Sequence, residues 1–226
     1  AEDLQTGVAE YAYSKENAAP SSGWQSSGKF SINANGVYFA WAKDTVGNVS
    51  TGYEFSVTKI DSVAPTVDSV EIPEEWGQTA SIKIHGSDKE SGIIGYTFTV
   101  DNNKPLDGWS SSPDMTIDTG NGVYWAWVKD AAGNISQGYQ FEISRIDTDA
   151  PKIEKFELSD DVKSVTLEAS DTGGSMIRGF LINDSLVEGN PLEYSLPEME
   201  RSIRVKAVDY AGNLCEELTK QIPDIE

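Results

Sequence analysis

Apolar and polar residues alternate with a period of two in short runs along this chain. Ile82 and Ile84 are separated by Lys83 and followed by His85, and Val165 and Leu167 repeat the arrangement further on. Tyr124, Ala126 and Val128 form a second such set, matched by Ile203, Val205 and Ala207. Successive side chains of a strand point to opposite faces, so this period puts one face in a core and the other toward solvent. Clusters of Gly, Asn, Ser and Pro bound the runs, as turns bound antiparallel strands. No segment carries a sustained helical stripe. The chain is expected to be all-β.

The phrase Asp-x-x-Gly-Asn closes three of the runs, starting at Asp44, Asp130 and Asp209, at steps of 86 and then 79 residues. Such steps are too long for a solenoid unit and fit one small β-sandwich. The repeat extends well beyond that phrase. Gly108-Trp109 matches Gly23-Trp24, Asn121-Gly122-Val123-Tyr124 matches Asn35-Gly36-Val37-Tyr38, and Gly138-Tyr139 matches Gly52-Tyr53. Ile-Asp-x-x-Ala-Pro follows, ending at Pro65 and at Pro151. Proline fixes φ, donates nothing to a ladder and extends its predecessor, so the Ala-Pro steps read as short, stiff linkers. Boundaries fall near Ser62 and Thr148, which gives modules at 1–61, 62–147 and 148–226. In the first, Asp3 aligns with Asp88, so counterparts of the two strands Val67–Ile72 and Ser81–Gly86 are lacking. A sheet without them has an unpaired edge and an open apolar face. Self-association through this module is therefore expected, with a second copy or a partner covering the edge.

Together these phrases resemble the bacterial immunoglobulin-like repeats that stand in tandem on Gram-positive surface proteins and large secreted enzymes. The residues that carry the resemblance are Ala64-Pro65 and Ala150-Pro151, Ser87-Asp88 with Ser91-Gly92, and Ser170-Asp171. Gly122-Val123-Tyr124 leading into Asp130, Gly133 and Asn134 completes it. The resemblance implies immunoglobulin-like β-sandwiches of seven-stranded type. It also implies use as a spacer, stalk or adhesion module, extracellular or on the bacterial cell surface. The third module departs from the pattern: it lacks the Gly-Trp element, and Ser202 to Val208 replace the aromatic strand. Any activity tied to those aromatics should be absent there.

Composition narrows the partners. The 37 acidic and 17 basic side chains give a net charge of −20. Nucleic acid and anionic membrane surfaces ask for a basic face and are disfavoured, which leaves cations and neutral ligands such as sugars. A single cysteine, Cys215, excludes an internal disulfide framework. Neither a signal peptide nor a bilayer-spanning run is read in the sequence, so a soluble fragment, processed or excised, is expected.

Two constellations could carry chemistry. The Asp-x-x-Gly-Asn turn needs no ligand, because Asp accepts backbone N–H bonds, Gly adopts positive φ and Asn tolerates the same region. The other reading is calcium, for which Asp88, Asp130 and either Asp147 or Asp149 would converge at a module junction, as would Asp3, Asp44 and Asp61 at another. The second constellation is aromatic. With Tyr124, Ala126 and Val128 facing the core, Trp125 and Trp127 face outward, as Phe39 and Trp41 do in the first module. Indole faces suit sugar rings. Alternatively, Trp109 and Trp24 fold back from the preceding loop and cover them. His85 is read as a solvated surface residue, and Cys215 as a strand or core position with acidic neighbours Glu216 and Glu217. No phosphate loop, zinc-protease motif or nucleophile elbow is present, so the chain is expected not to be an enzyme and to need no cofactor, calcium apart. The expected role is a spacer, stalk or presentation segment. A glycan- or host-protein-binding module and an accessory part of a large extracellular hydrolase are the alternatives.

Overall fold

A computed structural model describes residue 2, residues 4–198 and residues 200–223. Asp3 lies outside the described residues. The described residues form strands and turns with no helix, and no helix is long and apolar enough to cross a membrane. The chain divides into two compact units, Ala1–Val63 and Ala64–Glu226.

The first unit is one antiparallel sheet of β1 (Val8–Ser14), β2 (Gly36–Asp44) and β3 (Tyr53–Val57), in that order. Alternation along β2 puts Tyr38 on one face and Trp41 on the other, and both are buried. Tyr38 stacks on Phe55 and meets the edge of Tyr13, which in turn meets Phe30. Phe30 thus covers part of the face that absent partner strands were expected to leave open.

The second unit contains two sandwiches. In the first, β4 (Thr66–Glu71), β5 (Ala80–Ser87) and β7 (Asp114–Ile117) form one sheet, ordered β4-β5-β7. The facing sheet is β6 (Ile93–Thr99), β8 (Gly122–Asp130) and β9 (Tyr139–Ile143), ordered β6-β8-β9. Ile82 and Ile84 of one sheet pack in a single cluster with Tyr124, Ala126 and Val128 of the other, as their period-two spacing predicts. Removing these side chains from water is the main stabilising term, at about 1.5–3 kcal/mol for each large one.

The second sandwich pairs β10 (Lys152–Leu158), β11 (Ser164–Ser170) and β14 (Leu192–Ser195) against four strands. Those four are β12 (Ile177–Ile182), β13 (Ser185–Glu188), β15 (Ser202–Asp209) and β16 (Leu218–Gln221), ordered β13-β12-β15-β16. Val165 and Leu167 share its core with Ile203, Val205 and Ala207. Where the preceding sandwich has its Gly-Trp loop, this one has the β12–β13 hairpin. Its turn residues Asn183 and Asp184 adopt φ of 46° and 69°, the left-handed pair that a two-residue hairpin demands. The chain is all-β, and its second unit is two immunoglobulin-like sandwiches, with seven strands in the last.

Candidate functional site

The Asp-x-x-Gly-Asn turn is built the same way three times. Asp130 Oδ1 accepts from the backbone N–H of Asn134 at 2.8 Å, and its Oδ2 accepts from the Asn134 side-chain amide at 2.7 Å. Asp44 with Asn48 and Asp209 with Asn213 repeat both bonds. Gly47, Gly133 and Gly212 sit at φ of 96°, 95° and 88°, so glycine is required for the backbone itself. Asn does not adopt positive φ here, although it tolerates that region; it works through its amide, which clamps the second carboxylate oxygen. Burial pushes the Asp44 carboxyl up. Bonds from Asn48, Val46 and Thr6 outweigh that and hold it below the usual aspartate value.

The segment between the two sandwiches is held from both sides. On one side, Ile146 exchanges two hydrogen bonds of 2.7 Å with the side chain of Asn121. The N–H of Asp147 donates to Gly77 O at 2.9 Å, and Gly77 N–H donates to Arg145 O at 3.1 Å. On the other side, the Asn213 amide donates to Asp147 O at 3.0 Å, and Ser175 N–H donates to Asp147 Oδ2 at 3.0 Å. The ring of Trp76 reaches over Gly174, where a Cβ would lie 3.3 Å from Cη2. The repeat contains Asn121, but its spacing alone assigns that residue no role. Its signal was the recurrence of Asn before Gly-Val-Tyr, since Asn35 makes the same two bonds to Ile60 within the first unit.

Of the four aspartates proposed for calcium, the structure separates Asp88 and Asp130 from Asp147 and Asp149. Asn121, just before β8, binds the linker, while Asp130 ends that strand nine residues on, about 30 Å away at strand rise. Asp88 closes its own turn by accepting from Ser91 and Gly92. Asp149 is exposed, and its N–H donates to Asp147 Oδ1 at 2.9 Å. Asp44 and Asp61 are parted by β2 in the same manner. Asp147 gathers instead with Asp171, from the loop after β11, and Asp209, at the end of β15: one oxygen of each lies within 4.8 Å of the others. Burial pushes the Asp147 carboxyl up; the neighbouring Ser175, the backbone N–H of Asp149 and the nearby Asp171 outweigh it and hold it below the ordinary value.

The outward aromatics are largely covered. Trp127 is 3% exposed and Trp41 8%, so neither offers a face to a ligand. The Trp127 indole N–H donates to Thr99 Oγ1 at 2.9 Å, and that of Trp41 to Ser14 Oγ at 2.8 Å. Trp109 lies against Gly95 under the Lys129 ammonium, 4.7 Å from the ring centre. Trp24 has Lys43 over it at 4.6 Å and donates to Pro20 O. Trp125 alone of the strand pair is half-buried. The outward direction follows from alternation; Trp127 is packed against Gly138 and Thr99, and Trp41 against Gly52 and Ser14, while Trp109 and Trp24 lie on Lys129 and Lys43. His85 bonds Glu71 across the strands at 2.7 Å. Cys215 packs on the last core and accepts from Ala207 N–H at 3.0 Å; burial, the largest influence, pushes its thiol up.

No family model matches the chain, and no curated protein sequence matches it. Among solved structures, the chain is similar to the FN1–FN3 domains of chicken CNTN1, at 13% identity over 98% of this chain and 91% of that one, with a TM-score of 0.38. It is also similar to the fibronectin(III)-like modules of Clostridium thermocellum CbhA, at 14% identity over 67% and 91%, TM-score 0.33. A third is SGBP-B of the Bacteroides ovatus mixed-linkage glucan utilization locus, in complex with a heptasaccharide, at 14% identity over 96% and 60%, TM-score 0.24. These likenesses go no further than fold, and none bears on activity.

Proposed function

We propose that this chain is a non-catalytic spacer, a run of immunoglobulin-like modules that fixes distance and orientation within a bacterial cell-surface or secreted multidomain protein. The supporting observation is the linker at Ile146-Asp147, hydrogen-bonded to Asn121 and Gly77 behind it and to Ser175 and Asn213 ahead. Backbone held on both sides limits bending, which is what a spacer requires of its joints. An accessory place beside the catalytic part of an extracellular hydrolase is one setting for such a spacer. Capture of glycans or host proteins by the tryptophans finds less support, because Trp127 and Trp41 are buried and lysines stand over Trp109 and Trp24.

The test is NMR alignment of the full chain in a weakly ordering medium. Residues 64–147 and 148–223 should share one alignment tensor, and Asn121→Ala combined with Asn213→Ala should split it into two. Two tensors in the unaltered chain would sink the spacer reading.

A further inference from the structure

We propose that the entrance of the last sandwich is a calcium site formed by Asp147, Asp171 and Asp209 together with the hydroxyl of Ser175. The three carboxylates come from different segments, and Asp147 and Asp209 are buried, at 3% and 0% exposure. None of the ion pairs among the described residues includes any of the three. Three like charges this close, two of them away from water, ask for a compensating cation.

A second observation points the same way. Ser175 is fully buried, and its Oγ makes no hydrogen bond of proper geometry. It faces the carboxylate of Asp147, to which the backbone N–H of the same residue donates. A buried hydroxyl without a partner is uncommon and marks a place where a partner belongs. The arrangement also demands Gly173, because a Cβ there would stand 1.7 Å from Asp147 Oδ1.

Chemistry selects the ion. The three carboxylate oxygens lie within 4.8 Å of one another, close enough to meet one divalent cation. A set gathered from separate segments suits the flexible shell of calcium better than the near-ideal octahedron that magnesium demands. Carboxylate and hydroxyl oxygens are hard donors that leave thiolate-seeking metals aside. A cleft of about 270 Å³ lined by Asp118, Asn121, Asp147, Asp149 and Gly173 opens beside the cluster and gives an ion its way in. Four protein ligands with water completing the shell suit an affinity of about 10⁻⁴–10⁻³ M, the range of extracellular modules. The proposal is separate from the spacer reading: a joint can be rigid without calcium, and calcium can bind a joint that bends.

The test strips the full chain with EDTA and titrates it with calcium by calorimetry, and with terbium by luminescence excited through Trp76, which lies against Gly174. Asp171→Asn keeps the shape of a side chain that accepts only two long backbone bonds, at 3.3 and 3.4 Å, and Ser175→Ala removes only the hydroxyl. Calcium should bind more tightly than magnesium. Asp171→Asn should weaken it tenfold or more, and Ser175→Ala severalfold, with far-UV circular dichroism unchanged. Should Asp171→Asn fail to fold, Ser175→Ala carries the decision alone. No calcium uptake above about 10⁻³ M, or uptake and Trp76-excited terbium emission untouched by the substitutions that fold, would overturn the site.

Discussion

The ring of Trp127 occupies the space that a side chain at Gly138 would need. A Cβ on Gly138 would stand 2.9 Å from Cζ2 and 3.0 Å from Cη2 of the indole, and Trp41 meets Gly52 at 2.8 and 3.0 Å. The Gly-Tyr step and the strand tryptophan, repeated together in the sequence, are therefore two halves of one contact. Gly138→Ala should destabilise its module by about 1–3 kcal/mol, the usual cost of overpacking. Urea unfolding followed by tryptophan emission measures it. An unchanged midpoint would mean that the indole moves aside freely.

Trp127 and Trp125 separate structural from ligand-facing roles. Trp127→Ala should cost about 3–5 kcal/mol, as for a large buried aromatic, and Trp125→Ala about 1 kcal/mol. Thermal melts of both variants, run beside a glycan array, read stability and binding together. Glycan binding lost in a Trp125→Ala chain of unaltered stability would favour the adhesive role instead.

The turn glycines have room for a methyl group but not the backbone for it. Nothing lies within 4 Å of a Cβ built on Gly133, yet its φ is +95°. Gly133→Ala should therefore cost about 1–2 kcal/mol through conformation alone. Gly133→Asn should cost less, because Asn enters the left-handed region more readily. Equal losses for the two variants, in chemical denaturation, would point to a hidden steric contact.

Much of this architecture was legible from spacing. Ile82, Ile84, Tyr124 and Val128 were placed in the core by period two alone, and they meet there because burial selects the alternation. Period two does not say to which pole of the module a residue belongs. A strand of nine residues carries the chain from Asn121 to Asp130, and the returning strand β9 brings the linker back to the Asn121 end. Asp147 consequently meets the aspartates of the following module, Asp171 and Asp209, and not Asp130. That step follows from the geometry of a hairpin, although no local phrase announces it. The cover over Trp127 is of another kind. It depends on where the loop bearing Asn102 comes to rest, 2.3 Å from a Cβ at Gly138, and loop placement has no periodic signal.

Cys215 should behave as a packed thiol. Burial, the largest influence, raises its pKa above the ordinary thiol value, with Glu216 adding to the rise and the Ala207 N–H and Lys206 opposing it. An acid whose folded pKa is raised gives stability that is complete below the unfolded value, about 8.5, and declines as pH climbs through it. Ellman's reagent should accordingly react slowly with the native chain, with a pH midpoint above that of the urea-unfolded chain. Equal midpoints would remove the burial account.

The last module replaces the tryptophan contact with charge. Lys206 stands where Trp127 does relative to the turn aspartate, and Glu217 where Gly138 does. The two pair at 3.7 Å, and Arg204, in the place of Trp125, reaches Glu217 at 3.5 Å and Asp184 at 2.6 Å. The same sheet face is thus closed by packing in one module and by ions in the next. These differ in worth: exposed ion pairs give about 0.2–1 kcal/mol, because water screens them and ordering two long side chains costs entropy. A double-mutant cycle with Lys206→Gln and Glu217→Gln should return a coupling below about 1 kcal/mol that shrinks in high salt. The Trp127 and Gly138 contact should be indifferent to salt. A coupling for the ion pair as large as the loss in Trp127→Ala would show that the network is shielded from water, and that charge in this module holds the face as firmly as the indole does in its neighbour.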